Sequence, residues 1–171
     1  MNAIVRLVYA STATFEPQRD PNGIEVQVAR ILMQSRKNNA RDQIGGVLHY
    51  GDGYFFQCLE GERESVNRTY HRISEDPRHE EVHLLLVENV DERMFLDWSM
   101  KYVGLEQEID ALLKRNGLEE FNPYRFEKTM IEALLQACVS ANDPSSANIP
   151  DPAVQDRPAQ RSGFLGRLFG R

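Results

Sequence analysis

Apolar residues recur along the first hundred positions in two periods. They alternate with polar ones over Ile4 to Ala10, where Val5, Leu7 and Tyr9 share a face, and over Phe55 to Leu59, where Phe55, Gln57 and Leu59 share another. They fall at helical spacing over Ile24 to Arg36, with Val28, Ile31, Leu32 and Ser35 on one side, and over about Glu64 to Glu75, with Val66, Tyr70 and Ile73. The first pattern predicts strands and the second helices. Gln43-Ile44-Gly45-Gly46 leads into a strand over Val47 to Tyr50, which Gly51-Asp52-Gly53 turns into the Phe55 strand as a hairpin. Val82 to Val87 is a nearly continuous apolar run, the pattern of an interior strand. Trp98, Met100 and Tyr102 alternate with Ser99 and Lys101 and predict a half-buried last strand. Ser11 to Gly23 reads as a loop with a turn at Asp20-Pro21-Asn22-Gly23, and Asp76-Pro77 stops the second helix.

The order is β-α-β-β-α-β-β, an α+β fold close to a ferredoxin-like sandwich with both helices on one face. Two further helices, Gln107 to Asn116 and Arg125 to Ala141, follow, and their Leu112, Leu113, Ile131, Leu134 and Leu135 suit the open face of the sheet. From Asn142 to Ser162 the composition turns to Pro, Ser, Asp, Ala and Asn, which predicts a disordered linker. Residues 163–171 then place Phe164, Leu165, Leu168 and Phe169 at helical spacing beside Arg167 and Arg171. The expected division is a domain over 1–103, a helical extension over 104–141, a linker over 142–162 and a short basic amphipathic tail over 163–171. Such a tail suits a partner groove or, weakly, an anionic membrane surface.

Composition narrows the class. The formal charge of −6 argues against nucleic acid as a partner, because phosphate binding wants a basic face. No apolar run approaches the ~18 residues of a membrane span. Met1 to Arg6 lacks a secretory pattern, and Cys58 and Cys138 fit no metal or disulfide spacing, so a cytoplasmic protein with reduced thiols is expected.

Gln57 is the first candidate for chemistry, because it puts an amide on an apolar strand face. A core amide left unpaired costs roughly 1–3 kcal/mol, so it must find partners, and it offers both a donor and an acceptor. Tyr9 ends the first strand on an inward face. Asn38 and Asn39 close the first helix, and Trp98 and Met100 face inward from the last strand. Singly, each has an ordinary reading: a core tyrosine, a helix C-cap, plain core.

Together, Val8-Tyr9-Ala10-Ser11, Ser35 to Asn39 running into Ile44 to Tyr50, Phe56-Gln57 to Gly61, Tyr70 to Ile73 with Asp76 to His79, and Trp98-Ser99-Met100 resemble the BLUF family of blue-light sensors using FAD. The resemblance covers about Ile4 to Tyr102. It implies that a flavin lies between the two helices over the sheet. Tyr9 matches the tyrosine that donates an electron to the excited flavin, and Gln57 the glutamine bridging that tyrosine to the flavin. Asn39 matches the asparagine on the flavin's carbonyl and N3 edge, with Asn38 beside it. Ile31 and Ile73 match the aliphatic residues on the ring faces, and Arg72, Arg78 and His79 are candidates at the ribityl and phosphate end. Trp98 and Met100 match the strand that exchanges inward positions and carries the signal.

Two departures from the family pattern stand out. Gly45 replaces a Ser or Thr that many members carry, so a supporting hydroxyl is missing, and the loop after Tyr9 is several residues longer. The resemblance implies FAD as cofactor. Nothing after Tyr102 is long enough for a cyclase or phosphodiesterase domain, so no enzymatic activity and output through an unidentified partner protein are expected. Apolar residues on more than one side of the helices between Gln107 and Ala141 predict a homodimer or larger assembly. The rival readings are a flavin-dependent oxidoreductase and a flavin-free ferredoxin-like scaffold. Against the first, the chain has no G-x-G-x-x-G fingerprint. The second is what fold alone would permit.

Overall fold

The computed structural model describes residues 3–18, 23–145 and 149–155 of the 171-residue chain. The amphipathic tail and most of the turn at Asp20 to Gly23 lie outside the described residues. The elements run β1 (Ile4–Ala13), α1 (Val26–Arg41), β2 (Gly45–Gly51), β3 (Tyr54–Glu62), α2 (Arg63–Ser74), β4 (His79–Val90), β5 (Lys101–Tyr102), α3 (Glu106–Arg115), α4 (Lys128–Ser140) and α5 (Pro152–Gln155). The five strands form one sheet in the order β4-β1-β3-β2-β5. β1 is antiparallel to both β3 and β4, β2 is antiparallel to β3, and β5 joins β2 in parallel.

The period of two divides the sheet into two cores. Val5, Leu7, Tyr9, Phe55 and Leu59 face α1 and α2 and pack with Val28, Ile31, Leu32 and Val66. Val8, Val47, Phe56 and Cys58 face the other way and pack with Leu113, Ile131, Leu134 and Leu135 of α3 and α4. Both faces of the sheet are thereby covered, as the helical pattern after residue 104 predicts. Cys58 and Cys138 are free, buried thiols, and burial pushes the Cys138 thiol up to about 12 and that of Cys58 higher than a free thiol.

Four expectations are corrected. The apolar run Val82 to Val87 belongs to an edge strand, since among the described residues β4 pairs only with β1. The run is continuous because Val82 packs toward α1 and α2 while Leu85 and Leu86 pack toward α3 and α4, and Leu84 and Val87 remain about half exposed. The last strand shrinks to Lys101 and Tyr102, and its supposedly outward residues are buried. Ser99 bonds to Asp151, and Lys101 donates to the Val139 carbonyl at 2.8 Å while its ammonium lies 4.3 Å from the Trp98 ring centroid. α1 continues to Arg41 and is capped by Asp42, so Asn38 and Asn39 are helical residues of its last turns. Finally, Asp143, Ser145 and Asp151, placed by composition in a linker, are packed against α1 and the approach to β5. Their polar side chains are satisfied by buried partners, which composition does not reveal.

Gly45 answers a close approach of backbone. A Cβ there would lie 2.4 Å from the Phe95 carbonyl oxygen, so the position has no room for the Ser or Thr that the family resemblance suggests. Gly45→Ser should therefore destabilise the fold by about 1–3 kcal/mol, the usual range for overpacking. A urea midpoint equal to that of the unmodified chain would show that the loop around Phe95 yields at no cost.

Candidate functional site

α1 and α2 cross one face of the sheet side by side, and a cleft opens between them above β3. Ile31 and Ile73 line it from the two helices, Asn38 and Asn39 from the end of α1, and Gln57 from its floor. Arg72, Arg78 and His79 line the same cleft, so eight of the residues named from sequence are brought to one place. Gln34, Ser35, Leu59, Thr69 and Asp76 also line it and were not named as site residues; the inward phase of Ser35 and Leu59 was the available signal, whereas Asp76 lies in the turn after α2 and has no such phase.

Tyr9 and Gln57 are direct cross-strand partners in the β1–β3 ladder, which puts their side chains on the same face. The Tyr9 hydroxyl donates to Gln57 Oε1, and Gln57 Nε2 points to Met100 Sδ at 3.3 Å. All three side chains are buried. Burial holds the Tyr9 phenol well above its ordinary pKa, with smaller contributions from Tyr70 and Asp76, so it is protonated at any ordinary pH. Trp98 is separate from this group: it is partly exposed in the irregular stretch before β5 and its ring stacks with the Lys101 ammonium, while Met100 approaches Gln57. The sulfur is a weak acceptor, so the amide is held loosely at that end.

The amide edge of the cleft has unused capacity. Asn39 Nδ2 donates to the Ser99 carbonyl at 2.9 Å, and its Oδ1 accepts no hydrogen bond among the described residues. The Asn38 amide makes none there either. At the other end, Arg78 is pinned by Asp76 and by Gln34 Oε1 at 2.9 Å, and Arg72 rests on Thr69 and within 3.8 Å of Asp42. His79 Nδ1 meets Ser11 Oγ at 2.8 Å, and its ring packs on Phe55 at 4.5 Å between centroids. Burial lowers the His79 pKa to about 4, against an opposing pull from Asp76. Two aliphatic walls, an edge of amides with spare donors and acceptors, and a basic end fit a flat heteroaromatic ring carrying a phosphate chain. Among the described residues no cluster of His, Cys, Asp and Glu could hold a metal ion, and no helix is long and apolar enough to cross a membrane.

This geometry agrees with what comparison with known proteins shows. The family model described as BLUF, sensors of blue light using FAD, matches residues 4–101. The chain belongs to the BLUF family. It is 33% identical over 96 residues to the photoactivated adenylate cyclase subunit beta of Euglena longa, which covers 56% of this chain but only 11% of that relative. The chain thus spans about a tenth of the length of that cyclase subunit. Its structure resembles that of BlsA in the ground state, with a TM-score of 0.74 and 35% identity over 82% of this chain and 90% of that one. It also resembles the dark-state structure of BlrB, a BLUF protein, with a TM-score of 0.59 and 30% identity over 80% of this chain and 98% of that one.

Proposed function

We propose that this chain is a blue-light receptor that switches through Tyr9 and Gln57 and passes its output to a partner protein, with no catalysis of its own. The observation that carries the reading is the buried Tyr9–Gln57 hydrogen bond at the floor of a cleft edged by unused amides. The flavin, when bound, supplies the absorption of blue light and a strong oxidant in its excited state. Tyr9, whose buried phenol stays neutral, would be the residue placed to give an electron and a proton together to that oxidant. Gln57 is the switch, because an amide exchanges donor for acceptor by rotation or by its imidic tautomer without any change of charge. Asn38 and Asn39 would hold the ring edge, and Ile31 and Ile73 would exclude water from its faces. Met100 lies against the amide that must turn, which makes it the first element outside the Tyr9–Gln57 pair to feel the change.

FAD rather than FMN is the reading favoured by Arg72, Arg78 and His79 at one end of the cleft, a set suited to a pyrophosphate. The purified protein should be yellow, release FAD on denaturation, and show a reversible red shift in blue light with no substrate present. A colourless protein favours the scaffold reading, and a requirement for substrate favours an oxidoreductase.

A cytoplasmic homodimer with two-fold symmetry is the assembly we infer, since Leu84 and Val87 leave apolar surface on the unpaired edge of β4. Light scattering in the dark should then give about twice the chain mass of 19.6 kDa. A monomer mass in both dark and light would defeat it.

A further inference from the structure

The backbone on either side of Met100 is gripped by two buried charges. Asp151 Oδ2 accepts from the Met100 amide at 3.1 Å, and its Oδ1 accepts from the Ser99 amide at 3.3 Å and from the Ser99 hydroxyl. The Met100 carbonyl accepts from Arg36 Nε at 2.8 Å. Arg36, only 1% exposed, is held in turn by Asp143 at 2.7 Å, by Ser145 Oγ at 2.8 Å and by the Ile149 carbonyl, and lies 3.7 Å from Asp151. Desolvating a guanidinium and two carboxylates is unfavourable for each, and apolar residues would fill the same volume at less cost. What the charges supply is a fixed geometry for one short stretch of backbone.

That stretch needs it. β5 is only two residues long, so ladder hydrogen bonds do not fix Met100, and the Gly46 amide reaches no further than the Trp98 carbonyl at 3.3 Å. The Met100 side chain leaves the gripped backbone toward Gln57. We propose that Asp151, acting with Arg36, is a positioning residue of the light switch: it fixes the Met100 backbone and so holds the thioether against the Gln57 amide in the dark. The proposal rests on the switch assigned above to Tyr9 and Gln57. It makes Asp143, Ser145 and Asp151 part of the sensor itself, although they lie beyond the residues that the family model matches.

The test uses the full, flavin-loaded chain. Asp151→Asn should keep the flavin and the amplitude of the red shift. In the dark it should speed hydrogen exchange at the Ser99 and Met100 amides about tenfold, because an acceptor is lost, and slow dark recovery about tenfold, because contacts favouring the dark arrangement are lost. Ser99→Ala removes one hydroxyl donor and orphans no charge, so it should fold in any case and slow recovery about twofold. In a Met100→Leu background Asp151→Asn should still speed exchange but no longer alter recovery, an outcome that a purely structural role would not produce. Recovery unchanged in both Asp151→Asn and Ser99→Ala, with a normal red shift, overturns the proposal. So does an effect of Asp151→Asn that persists undiminished with Met100→Leu. If the unmodified chain shows no light response, the switch reading itself has failed, and unchanged amide exchange is then what would overturn the clamp.

Discussion

Replacing Gln57 by leucine should leave a protein that binds flavin and no longer shifts its absorption in blue light. Leucine keeps most of the volume and the apolar contacts from Ile31 and Ile73, so the cleft persists. It has no donor or acceptor to exchange, so no rearranged hydrogen bond can form after excitation. The Tyr9 hydroxyl would be left buried without its acceptor, a loss of about 1–3 kcal/mol in stability. Tyr9→Phe should likewise bind flavin and lose the normal photocycle, for the complementary reason that the hydroxyl proposed as electron and proton donor is gone. The double variant removes both ends of the bond, and should be more stable than the sum of the single losses predicts. Light-minus-dark difference spectra and urea unfolding of the three variants decide the matter. A full, reversible red shift in either single variant is incompatible with the mechanism.

Much of this architecture was legible in the residues. The alternation around Tyr9 and Gln57 put both side chains on one sheet face, and their cross-strand pairing follows from the hairpin and the crossover. The helical phase of Ile31 and Ile73 put them over the same face. What misled was local composition read without tertiary context. A continuous apolar run cannot distinguish an interior strand from an edge strand whose two faces are covered by different helices, which is the situation of Val82 to Val87. Alternation around Trp98 suggested outward Ser99 and Lys101, yet buried acceptors on Asp151 and Val139 make polar residues stable inside. The same applies to Asp143 and Asp151. Acidic residues in a Pro- and Ser-rich stretch look solvated until the buried Arg36 of α1 is seen to need them. Arg36 itself lies four positions after the inward Leu32, so its helical phase already put it on the buried side.

Acid should destabilise the fold through His79 well before most carboxylates are protonated. The ring is buried at the end of the cleft, and desolvation lowers its pKa from the ordinary 6.5 to about 4. In the unfolded chain His79 takes up its proton as pH falls through about 6.5, whereas the folded chain resists until about 4, so the unfolded state binds more protons between these values. Stability from this group is therefore fully present above about pH 6.5 and is lost progressively toward pH 4. Lowering the ring's pKa from 6.5 to about 4 amounts to roughly 3 kcal/mol over the whole window. His79→Asn supplies a non-titrating polar group toward Ser11 and removes this dependence. Urea unfolding of the two proteins at pH 7 and pH 4.5 isolates the effect, because the remaining carboxylates are common to both. The unmodified chain should lose about 2–3 kcal/mol more than the variant between those pH values. Equal losses would mean that His79 is not shielded from water as its burial against Phe55 requires. Flavin nucleotide adds a second reading of the same window: if the phosphates of FAD lie toward His79, as proposed, they would stabilise the charged ring, so saturating FAD should shrink the difference between the two proteins, while riboflavin should leave it unchanged.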